Sequence, residues 1–435
     1  MIISDLLIIG AGPGGYETAA GAAAKGLKVT LFERDLLGGT CLNRGCIPTK
    51  TLCHAAETAA TIREAAEYGV GGASPSIDFT KLMARKNEVV NRLREGVGMT
   101  LAKVNVVTGE ARFTAPHTVE ANGESYTAPR IIIATGSAPS ISPIPGAEKS
   151  LNSNDLLSLS ELPKSIIIIG GGVIGMEFAS IFNALGSIVT VIEYCKEILP
   201  QFDKDIAKRL RTSLSAAGVT FFTSAEVKEV SDGRIVKFIH KGEEKIAEAE
   251  TVAIAIGRRP VVPEGLETAG IEVTRKGIAV DHTTFETSAE GVYAIGDVNG
   301  ICMLAHAASA QGAAVLGDDI NLNVIPSAVF TIPEAAMVGM TEEQCKAAGT
   351  PYKVSKALFR ANGKAVSMGR TEGLVKLITE AESGKILGCH ILGPHAADLI
   401  HEPALAMSAG LPATAISSTV HAHPTLAEVM AAAAH

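Results

Sequence analysis

An α/β protein with two parallel, doubly wound domains and a closing α+β domain is what this sequence predicts, on three observations. A stretch of 29 residues recurs at a constant offset of 160, each copy reading as strand, glycine turn, helix, strand, acid. Two further strands each run into a glycine turn. From about Ile325 the glycine fingerprints stop, and strand-like and helical runs alternate.

Composition agrees. A chain of 435 residues has the length of about three domains. Hydrophobic residues at 47% and 44 glycines suit a packed α/β protein with many tight turns. No apolar run reaches the length of about 18 that a membrane-spanning helix needs. The chain enters a strand at once (Ile2, Ile3, Leu6 to Ile9) with no basic leader, so a cytoplasmic protein is expected. A formal charge of −8 disfavours nucleic acid and suits a basic protein partner. Seven cysteines follow no disulfide scaffold.

The repeat spans residues 6–34 and 166–194, and 12 of its 29 positions are identical. Gly10, Gly12 and Gly15 recur as Gly170, Gly172 and Gly175, and Glu33 recurs as Glu193. In such a turn the first glycine allows the bend and the second lets backbone approach a pyrophosphate. The third lets helix pack on strand. Phosphates then sit at a helix N-terminus, here beginning near Pro13 and at Val173-Ile174, where free N–H groups favour anions. The two glutamates would accept hydrogen bonds from ribose hydroxyls. Glu193 would repel a 2′-phosphate, and Tyr194, Cys195 and Lys196 follow it without an arginine, so NAD rather than NADP is expected there.

Shortly after Glu33 comes the most informative segment, Gly38-Gly39-Thr40-Cys41-Leu42-Asn43-Arg44-Gly45-Cys46-Ile47-Pro48-Thr49-Lys50, whose first cysteine lies eight residues beyond that acid. A disulfide needs Cα atoms within roughly 7 Å, whereas five extended residues span about 17 Å. The segment must turn tightly to bring the cysteines together, as at a helix start. A structural disulfide or two buried thiols is the plain alternative. In a reducing compartment a catalytic pair is favoured.

Strands Ile131–Ile133 and Val252–Ile256 end in Thr135-Gly136-Ser137 and Gly257-Arg258-Arg259-Pro260. Gly291-Val292-Tyr293-Ala294-Ile295-Gly296-Asp297 follows, and Leu304-Ala305-His306 reads as a helix start. Beyond Ile325, strands are expected over 327–330, 374–378 and 386–391, and helices over 342–348 and 397–409. Finally, in His421-Ala422-His423-Pro424-Thr425-Leu426-Ala427-Glu428, the residue before proline is biased away from helix. Thr425 and Glu428 fit a capping box. A carboxylate on one nitrogen of His423 would raise the basicity of the other. A zinc site from His421 and His423 lacks credible further ligands.

These motifs resemble the pyridine-nucleotide:disulfide oxidoreductases over essentially the whole chain, and CLNRGCIPTK is most similar to the dihydrolipoamide dehydrogenases within them. The resemblance implies two Rossmann-like dinucleotide-binding domains (FAD and NAD) and a C-terminal α+β dimerisation domain. It divides the chain into an FAD-binding domain at 1–147, an NAD-binding domain at 148–262, a central segment at 263–323 and an interface domain at 324–435. It implies that the Cys41–Cys46 disulfide, FAD and NAD oxidise protein-bound dihydrolipoamide. His423 is then the base, Glu428 orients it, and Lys50 pairs with Glu177 beside the flavin.

For FAD, beyond the first glycines and Glu33, the resemblance implies Arg34, Gly39, Thr40, Lys50 and Ala111, then Thr135, Gly136, Ser137 and Asp297. Met303, Leu304, Ala305 and His306 would complete that site. For NAD it implies Val173, Ile174, Glu177, Val227 and Gly257 beside the second glycines and Glu193. No resident metal is implied. The partners implied are a second copy of the chain, sharing the active site, and lipoyl-domain proteins of a 2-oxo acid dehydrogenase complex or glycine cleavage system. Nucleic acid and membrane are not among them. Glu17 stands where the family has a small or apolar residue, either solvated or disturbing local packing. The Gly69–Ser76 loop is lean for the family.

Overall fold

The computed structural model describes residues 1–71 and 74–435, so two residues of the lean 69–76 loop lie outside it. Two compact units emerge. One comprises residues 1–51, 80–141 and 257–322, the other 52–79, 142–256 and 323–435.

The first unit is built on a five-stranded parallel sheet in the order Val292–Ala294, Arg130–Ile133, Leu6–Ile9, Val29–Glu33, Asn105–Thr108. Its central strand, Leu6-Leu7-Ile8-Ile9, is buried on both faces, as the unbroken apolar run requires. Helix Pro13–Ala24 follows, with proline in its first turn, where the missing N–H costs nothing. Four strands (Ile2–Ile3, Glu124–Thr127, Thr118–Ala121 and Arg112–Ala115) make a second sheet. Glu17 is exposed and accepts a hydrogen bond from the Tyr16 hydroxyl at 3.1 Å, which settles it as solvated.

The second unit repeats the plan in a four-stranded parallel sheet, ordered Thr220–Phe222, Ile188–Ile192, Ser165–Ile169, Thr251–Ile254. Helix Val173–Leu185 follows its glycine turn. The same unit holds a five-stranded antiparallel sheet made by Ser327–Val329, Glu334–Gly339, Ile386–Gly393, Leu374–Glu380 and Tyr352–Leu358. Phe359, Val375, Ile391 and Met430 fill the core on one side of it. The α/β then α+β expectation holds throughout. The helix expected over 397–409 is instead two, Ala396–Leu399 and His401–Ser408. Pro403 explains the break, because it has no N–H to give the carbonyl four residues back.

A buried charge joins the two halves of this unit. Lys376, with a side chain 3% exposed, lies 2.8 Å from Asp203 and from Glu342, and 3.1 Å from Asp205. Asp205 is held down to about 2, first by its hydrogen bond to Lys356, and Glu342 to about 2, first by Lys346. Their stabilising contribution is therefore complete above the usual carboxylate range and is lost as pH falls from about 4 towards 2. Lys376→Met leaves Asp203 buried without its cation. The expected cost is about 3–5 kcal/mol in a denaturant titration.

Among the described residues no helix is long and apolar enough to cross a membrane.

Candidate active site

In the first unit, Gly38 and Gly39 both take positive φ and turn the chain into a short helix, Gly39–Arg44, that carries Cys41. Gly45 breaks it, and Cys46 is the first residue of helix Cys46–Glu64. The expected tight turn is therefore a helix, a break and a second helix start. The structure holds both cysteines as half-buried thiols. The Cys41 thiol is pushed well up, first by its hydrogen bond with Cys46, then by burial, while the Lys50 charge works against the rise. The two sulfurs are hydrogen-bonded to each other, and Cys46 stands at the positive end of a helix.

Around this pair stands the first dinucleotide cradle, at the carboxyl ends of the parallel strands, where ligands bind in such sheets. The Glu33 carboxylate accepts the Ala11 N–H at 2.8 Å and the Asp35 N–H at 2.8 Å. Glu193 repeats this on Gly171 N–H and Cys195 N–H, both 160 residues on. The duplication extends to hydrogen bonds: each acid ties its glycine loop to the strand end. A Cβ on Gly15 would sit 1.8 Å from the Gly10 carbonyl, and on Gly175 2.0 Å from that of Gly170. At Gly12 and Gly172, by contrast, a Cβ would meet nothing within 4 Å. The helix N-termini there are open, and that shape fits a dinucleotide pyrophosphate at each.

The remaining flavin-side residues gather in the same unit. Thr135 Oγ1 donates to the Val261 carbonyl, and the Ser137 hydroxyl donates to Asp297. Leu304 caps helix Ala305–Val315, which begins where expected and carries His306 in its first turn. Arg34 pairs with Glu110 at 2.9 Å on the surface, beside buried Ala111. Thr40 is half-buried and Met303 partly exposed. Of the nicotinamide-side set, Val173, Ile174, Glu177, Glu193 and Val227 lie in the second unit, and Gly257 begins a segment of the first.

Glu177 is 4% exposed, and its Oε1 accepts the Phe330 N–H at 3.1 Å. Ser180, one turn on, accepts the Ile332 N–H at 3.1 Å, and Cys53 Sγ donates to the Phe330 carbonyl at 3.2 Å. Backbone from the antiparallel sheet thus fixes the buried carboxylate.

At the C-terminal end, His423 Nδ1 lies 2.9 Å from Glu428 Oε1, and Glu428 Oε2 accepts the Thr425 N–H at 2.9 Å. That N–H, then His423, hold the Glu428 carboxyl below its usual range. The His423 side chain is 78% exposed, leaving Nε2 open to an incoming group. The capping box forms by half. The helix begins at Glu428 itself, and the Thr425 hydroxyl donates to the Ala422 carbonyl instead of capping. Asn362 secures this turn through the Thr425 carbonyl at 3.0 Å.

Two residues join the site without a signal in their motifs. Arg258 donates to Ser137 Oγ at 2.8 Å and Ser137 O at 2.7 Å. Burial lowers its pKa, while Asp297 and Cys46 oppose that shift. Tyr16 is pushed up to about 12, first by burial and then by Glu17, with the Cys41 charge adding to it. Among the described residues no three His, Cys, Asp or Glu side chains form a metal-holding group.

Two family models match: pyridine nucleotide-disulphide oxidoreductase over residues 4–312, and its dimerisation domain over 325–434. A dihydrolipoyl dehydrogenase of Bacillus subtilis is 42% identical over 451 residues, covering 100% of this chain and 96% of its own. One from Chlamydia muridarum is 41% identical over 447 residues, covering 99% and 96%. Among solved structures, the HOCl-induced flavoprotein disulfide reductase RclA of Escherichia coli superposes with a TM-score of 0.87 at 32% identity, covering 99% of each chain.

Proposed function

The chain belongs to the pyridine nucleotide-disulphide oxidoreductase family, and from that premise we propose that it oxidises protein-bound dihydrolipoamide to lipoamide and passes the electrons to NAD⁺. The observation that carries the reading is the Cys41 and Cys46 thiols hydrogen-bonded to each other beside an open dinucleotide cradle. FAD, when bound in the first cradle, supplies a two-electron carrier between dithiol and nicotinamide.

The chain's own residues do the rest. His423 Nε2 takes the proton of one substrate thiol. The thiolate attacks Cys41 of the Cys41–Cys46 disulfide, and the S–S bond breaks with Cys46 leaving as thiolate. The second substrate thiol attacks the mixed disulfide and its proton passes to Cys41 as that sulfur leaves, so lipoamide and the Cys41 thiol are released with the first proton still on His423. Substrate is oxidised by two electrons and the cysteine pair is reduced by two. Glu428 fixes the His423 tautomer and favours the imidazolium that forms.

The dimerisation domain makes the chain a homodimer, and His423 of one subunit serves the cysteines of the other. Lipoyl-domain proteins are the substrates' carriers, the setting is cytoplasmic, and the domains divide at residues 147, 262 and 323.

Steady-state turnover of dihydrolipoamide with NAD⁺, against glutathione disulfide with NADPH, tests the reading. Turnover of the first pair is expected. Turnover of the second alone would move the chain to another disulfide substrate. Glu193→Gln removes the charge from the ribose acceptor and is expected to raise KM for NAD⁺ about tenfold, the worth of one charged hydrogen bond. The rate at saturating NAD⁺ should change little.

A further inference from the structure

Asp297, the flavin-side acid after the third glycine turn, is held from two directions by residues outside its motif. Under its backbone, the Gly296 N–H donates to Gln311 Oε1 at 2.8 Å, and Asn299 Nδ2 donates to the same oxygen at 3.0 Å. Gln311 and Asn299 are both buried, so an amide pair fixes the turn on which Asp297 stands. The side chain is fixed by a different group. Arg258 Nε donates to Ser137 Oγ at 2.8 Å, and Arg258 Nη2 donates to the Ser137 carbonyl at 2.7 Å. A serine hydroxyl has one proton and two lone pairs. With Arg258 on a lone pair, the proton is turned to Asp297 Oδ2, which accepts it. Asp297 Oδ1 takes no hydrogen bond from the described residues. The donors thus run one way, from a guanidinium through a hydroxyl to a carboxylate. Strand Arg258–Pro260 pairs antiparallel with Ser137–Pro139, so backbone sets the reach of Arg258 to Ser137. Arg259, the next residue, is exposed on the opposite face of that strand.

We propose that Arg258 is a positioning residue for FAD: through the Ser137 hydroxyl it holds Asp297 Oδ2 and leaves Oδ1 for the bound nucleotide. The proposal rests on FAD occupying the first cradle with Asp297 among its ligands. A carboxylate already turned and held loses no rotamer freedom when its ligand arrives, so the relay acts on affinity. Each link also strengthens the next, because a hydroxyl that accepts from a cation is a better donor.

The test is the dissociation constant for FAD, read from flavin fluorescence as the FAD-loaded homodimer is diluted. Arg258→Met keeps bulk but removes every donor, and is expected to weaken FAD binding about tenfold. Ser137→Ala should weaken it by a similar factor. The two together should cost no more than either alone, because both cut one relay. Arg258→Lys keeps a charge and a donor, and should be only about threefold weaker than the unaltered protein. Arg259→Met removes the same charge from the same strand and should leave the constant unchanged. KM for NAD⁺ in FAD-saturated Arg258→Met should also be unchanged, which a general loosening of the fold would not allow. If Arg258→Met loads no FAD, Ser137→Ala and Arg258→Lys decide, and full affinity in both overturns the proposal. Full affinity in Arg258→Met overturns it too, as does an equal loss in Arg259→Met. So does a double variant weakened about a hundredfold, the product of independent effects. Asp297→Ala, measured alongside, keeps the two claims apart: if it binds FAD as tightly as the unaltered protein, the ligand assignment itself fails.

Discussion

Cys46→Ser is expected to abolish dihydrolipoamide oxidation. Serine cannot close a disulfide with Cys41, so there is no S–S bond for the substrate thiolate to break and no pair to hold two electrons. Nor can its hydroxyl take the place of the Cys46 sulfur. Cys46 begins helix Cys46–Glu64, where free N–H groups favour an anion, and it is hydrogen-bonded to Cys41. A hydroxyl stays protonated there at any working pH. Two measurements check this: the steady-state rate, expected at background, and the count of thiols that appear when NADH is added. The unaltered protein should gain two titratable thiols per subunit and the variant none. A variant that still oxidised dihydrolipoamide would place the chemistry elsewhere in the chain.

His423→Gln is expected to slow dihydrolipoamide oxidation by about 10²–10⁴-fold. Glutamine can hydrogen-bond the substrate thiol but cannot take its proton. A thiol with a pKa near 8.5 is only a few per cent thiolate at pH 7. The deficit should therefore shrink as pH rises, because the substrate then ionises without help. That pH dependence separates a lost base from lost packing, which would slow the variant equally at every pH. The geometry makes the exchange mild for the fold. The His423 side chain is largely exposed, and Glu428 keeps its second contact to the Thr425 N–H.

What was legible in the sequence is what local chemistry fixes. Gly10 and Gly170 take φ of +102° and +114°, values that only glycine adopts readily, so the turns announce themselves. Glu33 and Glu193 close the same loops 23 residues on. The His423–Glu428 contact spans five residues and was implied by the family resemblance. The capping box could not be read in full, because Glu428 serves two donors and the Thr425 hydroxyl found a nearer acceptor. The break at Ile400 had its signal in Pro403, and the apolar periodicity on either side obscured it. What stayed hidden is long-range. Lys376 meets Asp203 across 173 residues and Phe330 meets Glu177 across 153, distances at which no spacing rule operates. Arg258 lay in a motif that read only as a strand end. Its hydrogen bonds to Ser137 depend on the antiparallel pairing of Arg258–Pro260 with Ser137–Pro139.

The central claim is that electrons from a dithiol substrate enter at Cys41 and leave as NADH. Anaerobic addition of dihydrolipoamide to the oxidised, FAD-loaded protein, followed by NAD⁺, tests it in a single turnover. A change in the visible spectrum on the first addition, reversed on the second with stoichiometric NADH, is the predicted result. An unchanged spectrum with dihydrolipoamide, in a protein whose flavin NADH still reduces, would contradict it and leave the family's fold with a different disulfide to serve.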